Sequence, residues 1–152
     1  AYFEDAFLIR TTSIFTASER QRMVNPRKAY PTDPGLISVY EPAGRDNLGH
    51  ALETAVLIEL LRPGSEVRYF RTVAGNEVDF HAVDAMGKTW LIQSCADASD
   101  PETFEREVRS LLEAKAQYPE AKALLLLLAP LTAGFEMPEE ICCTNAIEWF
   151  LQ

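Results

Sequence analysis

A chain of 152 residues with 47% hydrophobic side chains can bury a core without staples, so it reads as one domain, or one domain plus a fragment of another. Its formal charge of -9 excludes a generally basic surface and makes the molecule as a whole a poor non-specific polyanion binder. Its three cysteines (Cys95, Cys142, Cys143) fit neither a disulfide framework nor a zinc spacing, and are expected to be small buried hydrophobes in a reducing cytoplasm.

The opening residues do not read as a signal peptide, and no apolar run reaches membrane-spanning length. The expectation is a cytoplasmic protein with no membrane partner.

In chain order, Tyr2 to Ala6 reads as the last turn of a helix, and Ala1 sits inside that element, as expected of a fragment excised from a longer protein. Phe7 to Phe15 follows as an apolar, β-branched strand. Thr16 to Pro26 is polar and basic, and Lys28-Ala29-Tyr30 returns as a short or edge strand, because Pro31 and Pro34 cannot donate ladder hydrogen bonds. Asp33-Pro34-Gly35-Leu36 is a turn signal. Arg10, Arg20, Arg22, Arg27 and Lys28 on this hairpin are placed to track a phosphate backbone, as the wing of a winged helix does. A solvated loop is the plainer reading of the same charges.

Asn47 to Leu61 is the first complete helix, capped by Asp46 or Asn47 and apolar around most of its circumference, as in a buried helix. Its polar stripe is His50, Glu53 and Thr54, with Glu53 where solvent exposure should end. Arg62-Pro63-Gly64 stops it, and Glu66 to Thr72 is a strand. Asp100 caps a helix with Pro101 in its first position. That helix turns Phe104, Val108, Leu111 and Leu112 inward and Glu105, Arg106, Arg109 and Glu113 to water. Ala121 to Ala129, with five consecutive leucines, suits a strand covered on both faces. A right-handed crossover sets it parallel to the strand before the helix. Pro130 to Pro138 is loop, Ile141 to Thr144 a last short strand, and Asn145 caps a closing helix containing Trp149.

The centre of the chain is a hairpin. Glu77 to Val83 and Lys88 to Cys95 alternate apolar and polar residues around Asp84-Ala85-Met86-Gly87. Period two puts Glu77, Asp79 and His81 on one face and Val78, Phe80 and Ala82 on the other. Asp84 and Lys88 closing a three-residue loop that ends in Gly87 is the arrangement of a type I turn followed by a left-handed residue. That register sets Asp79 opposite Gln93, Glu77 opposite Cys95 and His81 opposite Leu91, with the candidate ligands on one face. The alternative, Val83 closing on Lys88, sends Asp79 and Gln93 to opposite faces.

A helix Glu, a strand Asp and a polar pair two residues apart on the next strand, in that order, resemble the PD-(D/E)xK nuclease superfamily. More closely, the chain resembles the C-terminal domain of unknown function that follows the P-loop module in prokaryotic AAA-type ATPases. The segments carrying the likeness include Tyr2-Phe3-Glu4-Asp5-Ala6-Phe7-Leu8-Ile9, Asn25-Pro26-Arg27-Lys28-Ala29-Tyr30, Asp33-Pro34-Gly35-Leu36, Leu52-Glu53, Glu77-Val78-Asp79-Phe80, Leu91-Ile92-Gln93-Ser94-Cys95 and Glu148-Trp149. The resemblance implies that Glu53, Asp79 and Gln93 are the positions that hold a divalent metal, Mg²⁺, in active relatives. Cys95 then stands where they carry the lysine that activates or orients water. Gln93 offers a neutral carbonyl and Cys95 no cationic head, so these catalytic positions read as degenerate and Mg²⁺ binding as weak or absent. No Gly-x-x-x-x-Gly-Lys-Ser/Thr segment occurs, so this chain is expected to lack an ATP site and to partner an N-terminal ATPase module.

The expected fold is therefore α/β: a restriction-endonuclease-like mixed sheet of four or five strands flanked by helices over residues 41–152, with a winged-helix remnant hairpin over residues 1–40. The expected function is that of an accessory domain binding nucleic acid or protein. The alternatives are a Mg²⁺-dependent DNA nuclease with a relocated or missing lysine, and a protein-interaction or oligomerisation domain. A scaffolding reading instead has Asp79 bonded to Arg68 or Arg71, Glu53 to His50 or an arginine, and Gln93 satisfying a backbone group.

Overall fold

Asp84 fixes the turn around which the sheet is built. Its Oδ1 accepts the backbone N–H groups of Met86 and Lys88, each at 2.9 Å, and its Oδ2 accepts Trp90 Nε1–H at 3.2 Å. Asp84 N donates to Lys88 O at 3.0 Å, so Ala85, Met86 and Gly87 form the loop. Gly87 takes φ +79°, a left-handed conformation open to glycine without a Cβ penalty. The register follows the expectation: Phe80 pairs Ile92, His81 pairs Leu91, Ala82 pairs Trp90 and Val83 pairs Thr89.

In this computed structural model, which describes residues 2–40, 48–131 and 134–152, those two strands are β4 (Glu77–Val83) and β5 (Thr89–Cys95). They lie inside a five-stranded mixed sheet with β3 (Glu66–Arg71), β6 (Lys122–Leu127) and β7 (Ile141–Asn145), in the order β3-β4-β5-β6-β7. The β3-β4-β5 pairings are antiparallel, and β6 runs parallel to both β5 and β7. Helices α4 (Leu48–Leu61) and α5 (Pro101–Gln117) cover opposite faces. Strand β6 shows why its leucine run carries no alternation. Leu125 and Leu127 enter the core beneath α5, with Phe104, Val108 and Leu111, while Leu124 and Leu126 enter the core beneath α4, with Val56, Leu57 and Leu60. Each such burial contributes about 1.5–3 kcal/mol against the cost of ordering the chain.

The caps read from sequence are in place where the structure describes them. Asp100 accepts Thr103 N–H at 2.9 Å at the start of α5, and Asn145 accepts Ile147 N–H at 2.9 Å ahead of α6 (Ala146–Phe150). The proposed caps of α4, Asp46 and Asn47, fall outside the described residues, as does the boundary drawn at residue 41. Among the described residues no helix is long and apolar enough to cross a membrane.

The N-terminal segment is more helical than its sequence suggested. Helix α1 (Tyr2–Asp5) leads into β1 (Ile9–Thr12), which pairs antiparallel with β2 (Lys28–Pro31). Between them the basic stretch coils into α2 (Glu19–Val24), because Ser18 Oγ caps Gln21 N–H, and is not an open hairpin loop. The turn at Asp33 runs straight into α3 (Gly35–Tyr40), with Asp33 Oδ1 accepting Gly35 N–H at 2.8 Å. This unit joins the large sheet through Ile14, bridged to Tyr69, and through Tyr69 Oη–H donating to Pro26 O at 2.8 Å.

The strand faces depart from simple alternation at one place. On β4, Val83, Ala82 and His81 pair with Glu66, Val67 and Arg68, but Val78 and Glu77 pair with Phe70 and Arg71. Asp79 and Phe80 together therefore oppose Tyr69 alone, which is a β-bulge. Its effect is visible in the cores: Phe80 and Ala82 pack under α4, whereas Val78 packs under α5. The expected grouping of Glu77, Asp79 and His81 is thus corrected. His81 lies on the α5 side, stacked on Phe15 at 3.6 Å between ring centroids, and Asp79 is turned toward α4.

Candidate functional site

The bulge decides what Asp79 meets. On the α4 side its Oδ2 accepts both Ser94 N–H at 2.9 Å and Ser94 Oγ–H at 2.8 Å. Its backbone N–H donates to Gln93 Oε1 at 3.1 Å. Past Phe80 and Ile92, side chains thus complete hydrogen bonds between the two strands. Gln93 belongs to the other face, where its Nε2–H donates to Glu107 Oε2 on α5 at 2.6 Å. The expected register holds from Val83–Thr89 to Phe80–Ile92, but the ladder ends there, and the Asp79 and Gln93 side chains leave the sheet on opposite sides. The reason is the bulge, which sequence periodicity does not encode.

Lys28, expected as a phosphate contact, points its ammonium into the protein. Its Nζ lies 2.7 Å from Glu77 Oε1, 2.9 Å from Glu53 Oε1 and 3.8 Å from Asp79 Oδ1. Strand alternation places Tyr30 on the same face of β2, and its Oη–H donates to Glu53 Oε1 at 2.7 Å. Arg71 Nη2–H holds the second oxygen of Glu77 at 3.1 Å. Three carboxylates from α4 and β4 therefore converge on one ammonium from β2.

The electrostatics follow from that count. Burial works against the Lys28 ammonium, but Asp79, Glu53 and Glu77 outweigh it and hold its pKa above the ordinary lysine value. Burial also opposes Glu77 ionisation, yet hydrogen bonds from Lys28 and Arg71 prevail and lower its pKa. Asp79 moves the other way, up to about 7, through burial first and the Glu53 charge second. Lys28 raised and Asp79 raised are compatible, because at Asp79 burial and the Glu53 charge together outweigh the Lys28 ammonium and the Ser94 hydrogen bonds.

Gln93, Ser94, Cys95 and Glu107 join Glu53 and Asp79 around one cleft of about 330 Å³ at the end of β5. Cys95 reaches it from the core beneath α5, where its thiol donates to Asp97 O at 3.3 Å. Burial, with Glu107 adding to it, pushes the thiol pKa up to about 11, so it is a neutral, weakly nucleophilic group at neutral pH. The other cysteines do not share its burial: Cys143 is half-buried and Cys142 exposed, against the expectation of three buried thiols.

Mg²⁺ is the metal implied by the resemblance, and these side chains do not fit it. The space between Glu53 and Asp79 is taken by an ammonium, Gln93 Oε1 is engaged by a backbone N–H, and Gln93 leaves the sheet away from Glu53. The oxygens around Lys28 are also spaced for N–H···O contacts of 2.7–2.9 Å, whereas Mg²⁺ draws ligands to about 2.0–2.1 Å.

Of the remaining basic residues, Arg10, Arg20, Arg22 and Arg27 are exposed, and Arg22 Nη2–H donates to Thr16 O at 3.2 Å. Sequence reasoning missed Tyr30, Ser94 and Glu107. The last is buried on α5 with Arg106 Nη2 2.7 Å from its Oε1. Glu113, expected in water, is half-buried and accepts from Thr72 and Asn76. The scaffolding expectation holds for Gln93, which satisfies a backbone group, while Arg71 bonds Glu77 rather than Asp79. Compared with protein-family models, curated proteins and solved structures, the chain matches none.

Proposed function

We propose that this chain is a nuclease-like accessory domain without cleavage chemistry, serving a cytoplasmic AAA-type ATPase as a nucleic-acid-binding module. In this reading the five-stranded sheet is of restriction-endonuclease type and the β1–α2–β2 unit is a winged-helix remnant. The observation that carries it is the Lys28 ammonium between Glu53, Glu77 and Asp79. Metal-assisted hydrolysis needs a cation whose charge is open to the phosphate. Here the carboxylates are committed to an internal ammonium, and the position two residues after Gln93 holds a neutral thiol. Binding without cutting suits the exposed Arg10, Arg20, Arg22 and Arg27 on the β1–α2–β2 unit.

A docking role toward another protein is favoured by a different feature. Tyr2, Phe3, Phe7 and Leu8 are exposed beside an apolar groove of about 560 Å³ lined by Phe3, Leu8, Ile9, Tyr30, Leu36 and Ile37.

Nicking and gel-shift assays on the purified chain separate these readings. No Mg²⁺-dependent nicking of plasmid is expected. DNA binding should weaken as salt rises, and the Arg20/Arg22/Arg27 triple alanine variant should show a slope shallower by about 0.9 for each phosphate it no longer neutralises. Nicking that disappears in Glu53→Ala and Asp79→Ala would overturn the proposal in favour of a nuclease with Lys28 as its relocated lysine. Absence of binding even at low salt would transfer support to a protein partner.

A further inference from the structure

The carboxylates at the candidate metal positions already face a cation that belongs to the chain itself. We propose that Lys28 is the resident cation of the Glu53–Glu77–Asp79 cluster, its ammonium occupying the place that a divalent metal takes in the nucleases the chain resembles. Its fixed position in the fold does the charge balancing. The proposal rests on geometry and not on the absence of cleavage, so the two can fail separately.

Two independent features place Lys28 there. The β-bulge turns Asp79 onto the α4 face and leaves Glu77, two residues before it, on that same face, so that both converge with Glu53. Strand β2 is then held at the required depth by contacts that do not involve the ammonium: Tyr69 Oη–H to Pro26 O, and Tyr30 Oη–H to Glu53 Oε1. The Lys28 side chain is 26% exposed, and those of Asp79, Glu53 and Glu77 are 12%, 19% and 34% exposed. In so closed a setting three carboxylates without a cation would repel one another strongly, and removing one partner leaves the rest uncompensated.

Docking of the β1–β2 unit and binding of a divalent ion then compete for the same oxygens. While Lys28 is seated, no divalent ion enters. Once it is removed, the oxygens that lay 2.7 Å, 2.9 Å and 3.8 Å from the ammonium lose their cation, and Ca²⁺, with ligands at about 2.3–2.6 Å, requires less closure of them than Mg²⁺ does.

Thermal unfolding and calorimetric titration with Ca²⁺ and Mg²⁺ test this on the wild-type chain, Lys28→Met and Lys28→Met/Asp79→Asn. The wild type should show no saturable heat and no change in melting temperature between EDTA and millimolar Ca²⁺ or Mg²⁺. Lys28→Met should melt lower by roughly 5 °C or more, recover part of that loss with Ca²⁺ and less with Mg²⁺, and lose the recovery in the double variant. Saturable divalent binding to the wild type that is lost in Glu53→Gln would overturn the proposal, as would a Lys28→Met variant that melts like the wild type or ignores Ca²⁺. Should Lys28→Met fail to fold in EDTA, refolding on Ca²⁺ addition supports the proposal and failure to refold contradicts it, with the wild-type titration an independent check.

Discussion

Lys28 Nζ lies 2.9 Å from Glu53 Oε1, across 25 residues of chain and between two separate units of the fold. The same oxygen accepts Tyr30 Oη–H at 2.7 Å, so one carboxylate of α4 anchors both inward-facing residues of β2. Glu53 is therefore a docking point, and its loss should be felt at the junction of the small and large sheets.

Tyr30→Phe isolates one part of that anchor. The ring, which is almost wholly buried, stays in place while the hydroxyl donor to a charged oxygen is removed. Urea unfolding should report a loss of about 1.5–3 kcal/mol, the range for a hydrogen bond to a charged group. An unchanged midpoint would mean that the Tyr30–Glu53 bond adds nothing beyond the ammonium.

Asp79 gives a pH dependence with a definite sign. Its pKa rises from 3.8 to about 7 on folding, so between those values the folded state keeps a proton that the unfolded state has released. The stability this contributes is present below pH 3.8 and is lost as pH rises through about 7. Asp79→Asn imitates the protonated form and can still accept from Ser94. Urea midpoints should show the variant gaining on the wild type between about pH 4 and about pH 7, by up to about 1.4 kcal/mol per pH unit, and levelling off above that. A wild type that gains stability over that range relative to the variant would contradict the assignment.

Gln93 faces Glu107 at 2.6 Å, and this contact sets the orientation of its amide. Gln93→Glu would bring two carboxylates together in a buried place. The loss should be about 1–3 kcal/mol at neutral pH, and Glu107→Gln added to it should restore most of that, since an amide again meets a carboxylate. A double variant no better than Gln93→Glu would show that the charge pair is not the cause.

Thiol reactivity should follow burial. Cys142 is exposed, whereas Cys95 is buried with its pKa raised to about 11. A disulfide reagent near neutral pH should label Cys142 readily and Cys95 only on unfolding. Fast labelling of Cys95 in the folded protein would show that the cleft opens readily to solvent.

Much of the sheet was legible because its signals are local. Asp84 and Gly87 set the hairpin register, the leucine run marked a strand covered on both faces, and Asp100 and Asn145 marked helix starts. The site was legible only in part. Glu53, Asp79, Gln93 and Cys95 do line one cleft, but the bulge at Asp79 and Phe80 breaks the period-two rule from which their common face was inferred. Lys28 was misjudged for another reason: its neighbours in sequence are basic and polar, and the carboxylates that claim it come from α4 and β4. Glu107 escaped notice because its charge was set beside that of Glu105 and Arg106, although its position three residues after Phe104 and four before Leu111 puts it on the buried stripe of α5.

The most direct measurement is NMR of the lysine side-chain amines in protein labelled with ¹⁵N at lysine. An ammonium held by Glu53, Glu77 and Asp79 should give a protected NH₃⁺ signal at neutral pH, absent from Lys28→Arg, weakened in Glu77→Gln, and unmoved by Mg²⁺. No protected signal, or one that shifts saturably as Mg²⁺ is added, would contradict the claim that Lys28 is the resident cation of the Glu53–Glu77–Asp79 cluster.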